Sequence, residues 1–448
     1  MEQREGKNMV RGNTAGRAAA ACLPVLFFGL LTAVLLELRK GLPFHRPSGK
    51  LILFMTAVMA LSAAVHISRV GERGTGQYLA EEVLGIRRDK LRIVWMDWLR
   101  IFAAVMVVAV HSLSAGIDTL RQGGTAPGEL LFFMDLIKSC LLCCNTIFIM
   151  LSGGLLLGTD APESLWTFYR KRFIRVLLPC FMYYVFYVFY AYGTARLMPS
   201  EWRELFRSFF ANDTGLVPHF WLMFVIVAAY LPAPFFSVMV KGMSSSYRNG
   251  MAVTILVLHA VYSWAPLFGF SLPYGTFLAS WESMFLYGWY LTTEEAYEHR
   301  RLILAGGLLG AAFIFLVNCR FGADAAILYN NAPPMLLVGG GIFMLFRVLG
   351  SDTPKRSPAA AQVLSRFSFP ILLIHWFILF EIVGNKMGIT ALSYGIGGGV
   401  ALSVLLTFVF GLLFAILYDG TFVLVADAVI SGLFELPALS GRRRKQDA

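Results

Sequence analysis

Asp97 to His111 reads DWLRIFAAVMVVAVH, an apolar run with a charged foot and a histidine at its far end. Ten residues separate Arg100 from His111, and none of them is charged. At about 1.5 Å and 100° per residue, eleven steps of helix place the two about 16 Å apart and only about 20° apart around the axis. They line one face. A run this apolar reads as a membrane span, and an arginine within a span is costly enough that it usually faces a bundle interior or a water-filled cavity. In the bland reading, Arg100 snorkels to the interface and His111 packs as a hydrogen-bonded core residue. Two such residues on one face favour function over that reading.

The rest of the chain repeats the pattern. Of 448 residues, 57% are hydrophobic and only 15% charged, with 38 Phe and 17 Tyr, which leaves too little polar surface for a soluble domain. The fold class is all-α, a polytopic membrane helical bundle. Apolar runs recur near residues 96–116, 130–157, 173–193, 218–240, 250–268, 272–292, 302–319, 328–348, 367–385 and 394–418. Each is long enough for a hydrocarbon core about 30 Å thick. Two further runs, at about 17–36 and 51–67, precede these ten. The first reads as an uncleaved span and not a signal peptide, because it is long and shows no small-residue cleavage site. The chain therefore divides into a cytoplasmic tail (1–17), two additional spans (18–70), a basic linker with a short amphipathic helix (71–95) and a ten-span core (96–418). An interfacial segment with a basic tail (419–448) follows, set off by Asp419-Gly420.

The net charge of +11 could point to nucleic acid, but the basic residues lie in short loops between apolar runs. No Gly-rich phosphate loop, RNA-binding sheet motif or zinc-finger spacing accompanies them, so nucleic acid is excluded. Their distribution is a topology signal instead. With the amino terminus inside, cytoplasmic segments hold 26 of the 38 Lys and Arg and outer loops hold 10. Both termini, the linker and the Arg442-Arg443-Arg444-Lys445 run then face the cytoplasm. The six cysteines lie in or beside apolar runs, and Cys140-x-x-Cys143-Cys144 reads as packing and not as a metal or redox site. No metal is expected.

In order along the chain, several motifs resemble those of the membrane-bound acyltransferase-3 family, the bacterial O-acetyltransferases of surface glycans. The Arg-x10-His run begins DWLR and ends His111-Ser112. IFIMLSGGLL at 147–156 is similar to the family's Phe-rich Ser-Gly turn, and RKRFIRVLLP at 170–179 to its Arg-x-x-Arg entry into the third helix. His219-Phe220-Trp221-Leu222 resembles its His-Leu-Trp segment and Ile374-His375 its late Leu-Ile-His. The resemblance covers about residues 91–418. It implies an enzyme of the bacterial cytoplasmic membrane that moves an acetyl group to a hydroxyl of a cell-surface or lipid-linked glycan. Acetyl-CoA would be the donor, with no resident cofactor. Many relatives carry a fused extracytoplasmic domain, whereas this sequence stops about thirty residues after the core. Either the acceptor meets the membrane core directly or a separate extracytoplasmic partner finishes the reaction.

Each candidate residue follows from that chemistry. Arg170, Arg172 and Arg175 lie at the cytoplasmic level of Arg100, and Arg172 and Arg175, three apart, share a helix face. Arginines pair bidentately with phosphate oxygens, which suits a CoA donor, and Ser152 in the Ser152-Gly153-Gly154 turn marks the donor-side mouth. His111 is placed to act as general base on the acceptor hydroxyl or to carry the acyl group itself. Ser112 and Ser114 show no ordering that would make a serine nucleophile. Glu282, near mid-membrane, His219 and His375 are candidates for binding the acceptor or orienting His111, and Asp135 and Lys138 for a structural ion pair. His45, His66, His259 and His299 carry no supporting pattern. The rival readings are a transporter or flippase using the same polar cavity, and a non-catalytic membrane partner.

Overall fold

Each apolar run has enough hydrophobic residues to face both lipid and neighbouring helices, and the chain answers with helix throughout. The computed structural model describes residues 14, 16–27, 29–31, 49–70, 74–87, 89–123, 128–158, 164–193, 199–211, 215–270, 272, 277–321 and 332–434. Residues 1–13 of the amino-terminal tail, His45 and the run from Arg442 to Lys445 lie outside them. Among the described residues there is no strand, only one backbone bridge between Arg92 and Lys355. The helices are α1 (Gly16–Leu31), α2 (Gly49–Val70), α3 (Val94–Gly123), α4 (Gly128–Leu141), α5 (Cys144–Leu157), α6 (Leu165–Tyr192), α7 (Trp202–Phe210) and α8 (Trp221–Tyr230). Then follow α9 (Ala233–Lys241), α10 (Ser245–Trp264), α11 (Trp281–Tyr290), α12 (Arg300–Phe321), α13 (Pro333–Leu349), α14 (Ala359–Lys386) and α15 (Gly395–Phe434). Among the described residues, eight stretches are long and apolar enough to cross a membrane, and nine if the bent pair Pro218–Tyr230 and Ala233–Lys241 counts as one span. The protein is a multi-pass membrane bundle.

Several expectations need correction. The run at 272–292 yields only the ten-residue α11, about 15 Å of helix and half a hydrocarbon core. Ser152-Gly153-Gly154 is not a turn but lies inside unbroken α5; the break comes earlier, between α4 and α5 at Leu142-Cys143. The glycines are there because α5 crosses α11 almost backbone to backbone. A Cβ on Gly153 would collide with the Phe285 carbonyl, and one on Gly288 with the backbone of Met150. Asp135 pairs with Arg121 at 3.1 Å and not with Lys138. Asp419-Gly420 does not end a helix: it becomes a π-helical turn, Asp419–Val423, and α15 runs on to Phe434.

The helices form two compact units. The first holds Met1–Arg87, Phe173–Pro218 and Phe410–Ala448. Here the two leading helices acquire a structural role. The π turn at 419–423 presents the Gly420 carbonyl outward, and α2 binds it twice, through Ser62 Oγ at 2.9 Å and His66 Nε2 at 2.7 Å. A carbonyl only accepts, so His66 carries its proton on Nε2, and its Nδ1 accepts from the Tyr78 hydroxyl. Phe27 of α1 packs edge-on against Phe414, Tyr418 and Phe422. Tyr183 donates to Asp419 at 3.0 Å, and Tyr418 to the Met182 carbonyl at 2.7 Å.

The second unit, Arg88–Arg172 and His219–Val409, contains most of the buried core. Its least expected feature is Arg347, whose side chain is 1% exposed. It donates to the carbonyls of Leu291 (3.0 Å) and Thr293 (2.7 Å), just beyond the end of α11, and to Asp352 at 2.8 Å. Helix ends leave carbonyls without partners, and here a buried guanidinium satisfies them. Outside the spans, Ser245 and Arg248 bind Glu295, the hydroxyl hydrogen bond first among the causes that hold its carboxyl below the usual range. Arg347→Met should lower stability by about 1–3 kcal/mol by stranding those carbonyls. Thermal unfolding in detergent should show it, and an unchanged midpoint would mean that water replaces the guanidinium.

Candidate functional site

The unbroken α3 keeps Arg100 and His111 on one face, and both meet the same neighbour. Arg100 donates to Ser365 Oγ at 3.2 Å, while the His111 ring lies 5.2 Å from His375 and 5.1 Å from Trp376. Contacts advance together along the two helices, so α3 and α14 pack parallel. At the foot, Ser365 passes the connection on to Asp97 at 2.7 Å, and Arg92 neutralises Asp97 at 3.3 Å. The Arg100 charge is thus embedded in a small polar network that the local packing holds still.

At the other end of the face, three histidines surround a cavity of about 280 Å³. His111, His219 and His375 all line it, with Val107, Asn145 and the indole of Trp281. The His219 ring lies 4.9 Å from His375 and stacks on Trp376 at 5.5 Å. His219 is buried, at 7% exposure. Pro370 stands inside α14 and π-helical turns begin at Phe377, with Leu372 and Leu373 between them. His219 Nε2 meets the Leu373 carbonyl at 3.1 Å and His375 Nδ1 the Leu372 carbonyl at 2.6 Å.

Those two bonds fix the tautomers, since a carbonyl cannot donate. His375 is protonated on Nδ1 and keeps a lone pair on Nε2, an atom buried without a hydrogen-bond partner. A buried unsatisfied nitrogen is rare enough to need an explanation. His111 makes no hydrogen bond to any described residue, and Lys138 lies near enough to act on it electrostatically without lining the cavity. The site thus holds one histidine with both nitrogens unengaged beside a second whose lone pair is presented and fixed.

The remaining candidates divide. Arg172 lies with its guanidinium 5.1 Å from the Phe168 ring and 5.8 Å from that of Tyr230, and Tyr230 is also an electrostatic neighbour of Arg100. Arg172 and Arg100 therefore share a neighbour. Arg170 stands in the same turn, half-buried. Arg175 is exposed and lies in the π-helical stretch Phe173–Leu177, where α-helical i, i+3 facing no longer holds, so the shared face with Arg172 is lost. Ser152 is half-buried in α5 beside the glycine crossing and Glu282 half-buried in the first turn of α11; neither lines the histidine cavity. His259 is a buried structural histidine bonded to Ser283 at 2.9 Å. Sequence reasoning missed Asn145, Trp281 and Trp376 as parts of the site. A polar Asn145, with only Thr146 between it and the apolar run 147–151, was the available signal.

The model of the acyltransferase-3 family, an acyltransferase domain, matches residues 93–420, and the chain belongs to that family. It is a membrane acyltransferase. No curated protein and no solved structure matches it.

Proposed function

We propose that this membrane acyltransferase moves an acetyl group from acetyl-CoA, reached from the cytoplasmic side, to a hydroxyl of a cell-surface or lipid-linked glycan in the bacterial cytoplasmic membrane. The observation that carries the reading is the histidine cavity standing about 16 Å up one helix face from a fixed arginine. A cavity of 280 Å³ is near the lower limit of ligand sites, about 300 Å³. It has room for the reacting end of a donor and not for its nucleotide. The phosphates would then bind at the other end of the face, where Arg100, Arg170 and Arg172 offer forked donors.

In this reading His111 takes the acceptor's proton. In the reacting complex His375 Nε2, which the structure leaves without a partner, accepts the N–H of His111 and so turns its other nitrogen toward the hydroxyl. His219, stacked on Trp376, walls the cavity, and Trp221 and Trp281, 5.3 Å apart, offer aromatic surface to a sugar ring. A covalent acyl-histidine intermediate on His111 serves the same geometry.

The direct test is purified protein with radiolabelled acetyl-CoA and membrane glycolipids: label in the glycan fraction supports the reading, and binding without transfer overturns it. Arg172→Ala should weaken CoA binding about tenfold to a hundredfold, the equivalent of a charge-assisted hydrogen bond of about 1.5–3 kcal/mol. Calorimetric titration reads this, and unchanged affinity in a folded variant would remove Arg172 from the donor site.

A further inference from the structure

We propose that Asn145 is a catalytic residue, the hydrogen-bond donor that holds the thioester carbonyl oxygen of the donor inside the histidine cavity. The inference rests on the acyl-transfer reading and adds what that reading lacks, a group for the oxygen on which negative charge develops.

The first argument is placement. α4 stops at Leu141 and α5 starts at Cys144, and the short break between them turns four nearby side chains, Leu142, Cys144, Asn145 and Thr146, into the cavity wall. Had the helix run on unbroken, its period would have spread these neighbours around the axis. A carboxamide at this depth, in an otherwise apolar run, is costly unless it finds a partner.

The second argument is elimination among the cavity's polar groups. The hydroxyl of Thr146 is already committed to the carbonyls of Cys143 (2.7 Å) and Met335 (3.3 Å). The N–H groups of His219 and His375 go to the Leu373 and Leu372 carbonyls, so these rings present lone pairs to the cavity. His111, as base, must also present a lone pair. The indoles of Trp221 and Trp281 pack against each other 5.3 Å apart, and their N–H groups are the competing donors. Asn145 is the one carboxamide of the lining. Its Oδ1 faces the Cys144 thiol at 3.8 Å, and this orientation leaves the amide N–H bonds for a ligand.

The step balances as follows. The acceptor oxygen forms a bond to the thioester carbon while its proton passes to His111, and the carbonyl π electrons move onto the oxygen. The Asn145 amide donates to that oxyanion. When the carbonyl re-forms, the carbon–sulfur bond breaks, its electrons leave on sulfur, and His111 returns the proton to give free CoA thiol and the ester. Donors aimed at a developing oxyanion act most strongly in a site that excludes water.

The test uses the full-length protein in detergent or nanodiscs. Asn145→Ala and the isosteric Asn145→Asp should each lower kcat about 10²- to 10³-fold, with CoA affinity and melting temperature close to wild type. With carbonyl-labelled [¹³C]acetyl-CoA bound to wild type, the infrared carbonyl band should lie below its position in water, and in Asn145→Ala it should move back toward that position. Wild-type transfer with both variants keeping more than a tenth of it overturns this assignment alone. So does an unshifted band in wild type, even if the variants fail to fold. A wild-type protein that binds no acetyl-CoA and transfers nothing overturns the acyl-transfer reading, and this inference with it.

Discussion

His111→Gln should give a protein that inserts, folds and binds CoA yet transfers no acyl group. Glutamine keeps a polar side chain of similar reach but has no nitrogen lone pair able to take a proton. The expected loss is about 10²–10⁴ in turnover, the usual worth of a positioned general base. The environment argues that this loss would not be a folding defect. His111 is half-buried and makes no hydrogen bond to a described residue, so its replacement strands no partner. His375 differs, because its Nδ1 proton satisfies the Leu372 carbonyl. His375→Gln can supply both an N–H donor and an acceptor oxygen, so it should lower activity less than His111→Gln does. Turnover assayed per folded molecule decides. If His111→Gln keeps more than about a tenth of wild-type turnover, both the base and the acyl-carrier roles fail.

What the sequence made legible follows from which features are periodic. Arg100 and His111 share a face because eleven residues make just over three whole turns, and α3 runs unbroken through them. The same arithmetic failed for Arg172 and Arg175, since Arg175 lies in a π turn and residue spacing alone does not mark one. It failed again at Ser152-Gly153-Gly154. Glycine inside an apolar run signals either a break or a close crossing, and only the position of α11 decides between them. His219 and His375 were visible as isolated residues; their gathering with His111 depends on α14 and the start of α8 meeting α3, which is tertiary information. Asp135 shows the converse. Lys138 is the nearer partner along the chain, but Arg121, fourteen residues back, reaches it from α3.

The glycine crossing also predicts a large effect far from the chemistry. In Gly288→Ala the new methyl would sit where the backbone of Met150 now lies, and Gly153 opposite leaves no side chain that can yield. The two helices must separate by about the width of the added atom, an overpacking cost of about 1–3 kcal/mol or more. The displacement would not stay local. α5 begins one residue before Asn145, and α11 begins with Trp281, so both walls of the cavity move with the crossing. A shift of about 1 Å between reacting groups can cost about 10² in rate. Gly288→Ala should therefore lose activity beyond its loss of folded protein. Gly250→Ala is the matched control, because nothing lies within 4 Å of a Cβ there and α10 gains a better helix former. Melting temperature and turnover per folded molecule, measured on both variants, separate the two effects. A Gly288→Ala protein with wild-type turnover would mean that the crossing can open without moving the cavity, and Asn145 and Trp281 would then not be held by it.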